Sequence, residues 1–77
     1  MFIRDKQNTI ENTVREARTD LELTQEELAQ RVQATRQTII SIEKGNYVPS
    51  VLLALKIAST LGRKVEDLFE LSKNEAI

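Results

Sequence analysis

The chain has 77 residues, 40% hydrophobic and 30% charged, with 11 Lys and Arg against 12 Asp and Glu for a net charge of −1. That length supports one domain with one modest core. The lack of Cys and His excludes disulfides, thiol chemistry and the usual histidine acid, base or metal ligand, and the near-neutral balance gives no bulk-charge argument for a nucleic-acid partner.

No apolar run approaches the roughly 18 residues a membrane helix needs, and the N-terminus carries no signal-peptide pattern. A soluble, cytoplasmic protein is expected, without a membrane partner. No paired-carboxylate, P-loop or Gly-rich phosphate signature is present. The expectation is therefore not an enzyme, with no cofactor, no metal and no small-molecule ligand.

In chain order, residues 1–8, "MFIRDKQN", read as an arm in which Phe2 and Ile3 precede any helix signal. Asn8 with Glu11 has the spacing of a capping box. Ile10, Val14, Ala17 and Leu21 then fall on one helical face, which predicts a first helix from about Thr9 to Asp20. Thr24 with Glu27 forms a second capping box, opening a short helix over about Gln25 to Val32 that buries Leu28, Ala29 and Val32. Thr35 reads as the N-cap of a third helix running to about Lys44, and Gly45 suits the left-handed position after its end. "NYVP" is a loop. Ser50 caps a fourth helix that ends before Gly62, and "KVEDLF" predicts a short fifth. The tail, residues 70–77, is expected to fray. These elements make an all-α, five-helix fold with an arm (1–8), a domain (9–69) and a tail (70–77). "FI" near the start and "LFEL" near the end are the segments that could pair as short strands.

The second and third helices are separated by only "QAT", residues 33–35, which is helix-turn-helix spacing. A helical hairpin with no DNA role has the same local pattern. Gln33 stands where such turns usually have Gly, which requires a left-handed Gln at a cost of about 1 kcal/mol. At about 100° per residue, Ile39 and Ile42 face the core. Gln37, Ser41 and Lys44 lie opposite, with Arg36 and Ile40 at one edge. Gln and Arg can pair bidentately with adenine and guanine, Ser can bond several base edges, Ile40 could meet a thymine methyl, and Lys44 would meet phosphate. An ordinary solvated helix face offers the same residue types, so both readings stand on this surface alone.

The stretch "TQEELAQRVQATRQTIISIEKGNYVPS", with "ALKIA" following, resembles the phage-repressor/Cro-type (XRE) helix-turn-helix family, over about residues 10 to 69. The resemblance implies a repressor-like DNA-binding domain whose third helix enters the major groove, in a dimer reading two half-sites. It further implies base contacts from Arg36, Gln37 and Ser41, with Ile40 beside them. Backbone contacts would come from Gln25, Thr35, Thr38, Lys44, Asn46 and Tyr47, the last with an alternative role as a ring closing the core. Arg18 and Glu43 fall where the family often has a buried ion pair. The chain departs from the family at Glu22 and Gln33, where Gly is common, and at Ile40 and Leu52, where a polar residue is common.

Phe2, Ile3, Leu52, Phe69 and Leu71 together are more apolar surface than a monomer of this size is expected to expose. A homodimer follows as the expectation, the alternative being an arm folded back over Leu52. The functional expectation is a sequence-specific regulator of transcription, a repressor, binding double-stranded DNA. Two other readings remain: the antitoxin of a toxin–antitoxin pair, which has a protein partner as well as DNA, and a protein-interaction module that has lost DNA binding.

Overall fold

The computed structural model describes residues 10–72. Phe2, Ile3 and the arm lie outside them. The order of elements is β1 (Ile10–Asn12), α1 (Val14–Asp20), α2 (Gln25–Val32), α3 (Arg36–Glu43), α4 (Val51–Leu61), α5 (Val65–Leu68) and β2 (Phe69–Leu71). The five helices stand, but the domain is not strictly all-α, because β1 and β2 form a two-stranded antiparallel sheet. Ile10 lies opposite Leu71, Glu11 opposite Glu70 and Asn12 opposite Phe69.

The first helix therefore starts later than its apolar spacing suggests. Residues 10–12 are extended and Glu11 pairs in the sheet, while Asn8, the other half of the expected capping box, lies outside the described residues. Asn12 provides the actual start signal. Its Oδ1 accepts from the Val14 amide at 3.1 Å, while its Nδ2 donates to the Ile42 carbonyl at 2.9 Å. The N-cap, Thr13, makes no side-chain cap bond. Its amide donates instead to the Leu68 carbonyl, and its hydroxyl to the Asp67 carbonyl. Leu21, placed on the buried face by spacing, is exposed beyond the helix end, and Leu23 takes a place in the core. "LFEL" does contribute a strand, but its partner among the described residues is Ile10–Asn12. Glu70 and Leu71 are thus paired rather than frayed.

The middle of the chain follows its local signals. Thr24 Oγ1 accepts from the Glu27 amide at 3.0 Å, and the Glu27 carboxylate accepts from the Thr24 amide at 2.8 Å. Thr35 and Ser50 accept from the amides of Thr38 and Leu53. Each cap satisfies donors that the helix leaves open. Leu28, Val32, Ile39, Ile42 and Ile57 then converge with Val14 and Leu68 on one fully buried core.

The helices α1 to α4 all end in the same pair of backbone bonds, a 5→2 and a 6→1 contact. At α1 these are Glu22 N to Thr19 O and Leu23 N to Arg18 O, and at α2 Gln33 N to Gln30 O and Ala34 N to Ala29 O. α3 uses Gly45 N to Ile42 O and Asn46 N to Ser41 O, and α4 uses Gly62 N to Ser59 O and Arg63 N to Ala58 O. This motif needs a left-handed residue at the turn. Gly45 and Gly62 supply it freely, whereas Glu22 (φ 58°) and Gln33 (φ 61°) adopt it with a Cβ. Gln33 gains a contact in return, since Lys56 Nζ donates to its Oε1 at 2.9 Å.

Two outcomes follow. Glu22→Gly relieves the left-handed Cβ and raises stability by about 0.5–1 kcal/mol after the added unfolded-chain freedom of Gly is subtracted, read as a higher urea midpoint with an unchanged slope. The Thr24 backbone amide, and then its hydroxyl, hold the Glu27 carboxyl below its ordinary value of 4.5. A depressed folded-state value contributes stability that is complete above the unfolded value and lost as pH falls through the folded one. Glu27→Gln should therefore flatten the decline in stability below about pH 4.5, measured by urea titrations across that range.

Candidate nucleic-acid interface

The turn of residues 33–35 sets α3 against α2, and Ile39 and Ile42, both fully buried, fix which way α3 is rotated. Arg36 and Gln37 are then exposed, and Ile40 and Ser41 are half-buried beside them. Neither the Arg36 nor the Gln37 side chain has a hydrogen-bonding partner among the described residues. Thr35 and Thr38 sit at the start of this surface with their hydroxyls 2.9 Å apart. Lys44, Asn46 and Tyr47 are exposed where the chain leaves α3. Tyr47 is 48% exposed and so does not close the core.

A buried ion pair holds this surface from beneath. Arg18 Nε donates to Glu43 Oε2 at 2.7 Å and Arg18 Nη2 to Glu43 Oε1 at 3.1 Å, a two-point fork across α1 and α3. The side chains are only 10% and 4% exposed. The third guanidinium nitrogen, Nη1, donates to the Leu23 carbonyl at 2.7 Å. Gln25 Nε2 donates to Glu43 Oε1 at 3.1 Å. Gln25 thus braces the end of α3 while its second amide hydrogen stays available at the opening of α2.

Of the residues expected at a dimer interface, Leu52 and Leu71 are 63% and 66% exposed, and Phe69 is half-buried against the core. Leu52 has apolar company that spacing arguments did not single out. Val51 is 77% exposed and Leu55 53%. The opposite side of α4 buries Ala54, Ile57, Ala58 and Leu61. Sequence reasoning also missed Asn12, whose bond to Ile42 crosses 30 positions in the chain. The Asn-Thr pair just before Val14 is the signal that could have revealed it.

No group of His, Cys, Asp and Glu that could hold a metal ion occurs among the described residues. No described helix is long and apolar enough to cross a membrane.

Glu43→Ala would leave the buried Arg18 charge uncompensated and cost about 3–5 kcal/mol. Chemical denaturation should show that loss before any binding assay is interpretable.

A helix-turn-helix family model matches residues 14–68. The chain is 58% identical over 64 residues to an HTH-type transcriptional regulator of Methanothermobacter thermautotrophicus, covering 82% of this chain and 93% of that one. It is 48% identical over 64 residues to the HTH-type transcriptional regulator YgzD of Bacillus subtilis, covering 83% and 97%. Among solved structures, the restriction-modification controller protein C.AhdI of Aeromonas hydrophila superposes with a TM-score of 0.66 at 31% identity, over 70% of this chain and 82% of that one. The clp gene regulator ClgR of Corynebacterium glutamicum does so with a TM-score of 0.67 at 28% identity, over 70% and 57%. With its helix-turn-helix held on the Arg18–Glu43 pair, the chain belongs to the phage-repressor/Cro (XRE) type of helix-turn-helix family, a family of DNA-binding transcriptional regulators.

Proposed function

We propose that the protein is a sequence-specific repressor that binds a two-fold symmetric operator as a homodimer, with α3 in the major groove. The observation that carries this reading is the surface of α3. Two buried isoleucines and a buried ion pair fix its rotation, and Arg36 and Gln37 stand unpaired on its outer side. Arg36 and Gln37 have the donor and acceptor geometry for guanine and adenine edges, Ser41 extends that pattern, and Ile40 presents a methyl-sized apolar surface to thymine. Thr35, Thr38, Gln25, Lys44, Asn46 and Tyr47 surround this patch and serve the sugar-phosphate strands, which position the domain without reading sequence.

The homodimer rests on α4. "VLLALKIASTL" is apolar on nearly all sides, a composition suited to a helix covered on both faces. One face is buried in the domain, and the other leaves Val51, Leu52 and Leu55 in solvent. A second copy meeting this face about a two-fold axis would cover all three residues and repeat the reading surface, as palindromic half-sites require.

A fluorescence-anisotropy titration tests the reading, with duplex from upstream of the protein's own gene against a scrambled duplex at two salt concentrations. Tight binding to the first alone is expected. Gln37→Ala should weaken it by about 1–3 kcal/mol and relax discrimination at one base pair. Leu55→Glu should convert the dimer to a monomer in sedimentation velocity and abolish tight operator binding. A folded dimer that binds no DNA, with Gln37→Ala leaving function intact, would instead favour the protein-interaction reading. Repression is checked by a reporter driven by the bound promoter, whose output should fall when the protein is supplied.

A further inference from the structure

A cleft of about 440 Å³ opens between α1, the start of α2 and the end of α3. Its walls include Arg15, Gln25, Ile40 and Lys44, with Arg18 and Glu43 also lining it. Glu43 is the sole carboxylate among the lining residues, and it is neutralised by Arg18. All three nitrogens of the Arg18 guanidinium already donate within the protein, to Glu43 and to the Leu23 carbonyl. The buried pair therefore brings no net charge to the cleft, and its guanidinium is already committed through every nitrogen.

Arg15 and Lys44 differ from Arg18 in this respect. Both are exposed, and neither side chain has an ion pair or hydrogen-bonding partner among the described residues. Two unspent cations thus border one cleft above a neutral pair, which suits an anion. Ile40 lines the same cleft, so it opens directly beside the reading side of α3. A nucleic-acid strand following that side would bring a backbone phosphate to it. Arg15 can grip two phosphate oxygens with its planar fork, and Lys44 adds a point charge.

We propose that Arg15, on α1, is a phosphate-anchoring residue that works with Lys44 to seat one DNA backbone phosphate at the mouth of this cleft. The inference rests on the DNA-binding reading above and adds to it a contact from outside the helix-turn-helix. It also explains how a chain of net charge −1 offers a locally basic rim.

The test measures duplex affinity across a salt series for the wild type, Arg15→Gln, Arg15→Lys and Arg63→Gln. Arg63 is a control, because it is already paired with Asp20 and does not line the cleft. Losing one phosphate contact should flatten the slope of log affinity against log salt by about 0.9 per protomer. Arg15→Gln should show that change and weaken operator and scrambled duplex by the same factor, with an unaltered melting temperature. Arg15→Lys should restore most of the slope, and Arg63→Gln should leave it unchanged. A wild-type slope in Arg15→Gln, with the wild type binding its operator, overturns the anchoring role and leaves the DNA reading intact. A wild type that binds no duplex overturns both. Saturable, Arg15-dependent binding of inorganic phosphate, with the duplex slope unchanged, would make the free ion the ligand and overturn the proposal.

Discussion

The bidentate contact between Arg18 and Glu43 is where three helices are held in register. Arg18 comes from α1 and Glu43 from the last turn of α3, while Gln25 reaches the same carboxylate from the first residue of α2. Taking two charges out of water is costly, and their attraction offsets that cost only when the remaining donors and acceptors are also met. Here Gln25 adds a donor to the carboxylate, and the Leu23 carbonyl accepts from the third guanidinium nitrogen. The pair therefore contributes geometry more than net stability. α3 cannot slide or roll without stranding a buried charge, and the direction in which its outer residues point is set accordingly.

The turns around α2 serve the same end by a different means. Glu22 precedes this helix and Gln33 follows it, and both are left-handed residues that carry a Cβ. Each turn closes the preceding helix with two backbone bonds in very few residues, which leaves little slack between α1, α2 and α3. Gln33 is further tied to α4 through Lys56. The helix whose outer side is proposed to meet a second copy is thus bonded to the turn that aims α3.

Much of this was legible from the chain because its signals are local. Thr24 with Glu27, Thr35, Ser50 and Gly62 each lie within a few residues of the helix end they specify. The rotation of α3 followed from Ile39 and Ile42 alone. The start of the domain was not legible in the same way. Ile10 and Val14 have helical spacing, yet Ile10 pairs with Leu71. A three-residue strand carries too little periodicity to announce itself, and the bond that ties Asn12 to Ile42 depends on residues far apart in sequence. Arg15 was equally silent, since a lone cation on a first helix acquires meaning only when folding brings it to the same cleft as Lys44.

The little sheet also decides how the chain can be joined to anything else. With Ile10 across from Leu71, the described chain enters and leaves at one corner, so the five helices form a nearly closed circuit. Such a layout is what makes circular permutation or insertion into another chain tolerable. A host could accept the whole domain at a single loop, with the two junctions as close together as neighbouring strands. For a regulator proposed to work in pairs, the shared corner also means that a fused partner is displayed from one place on each protomer.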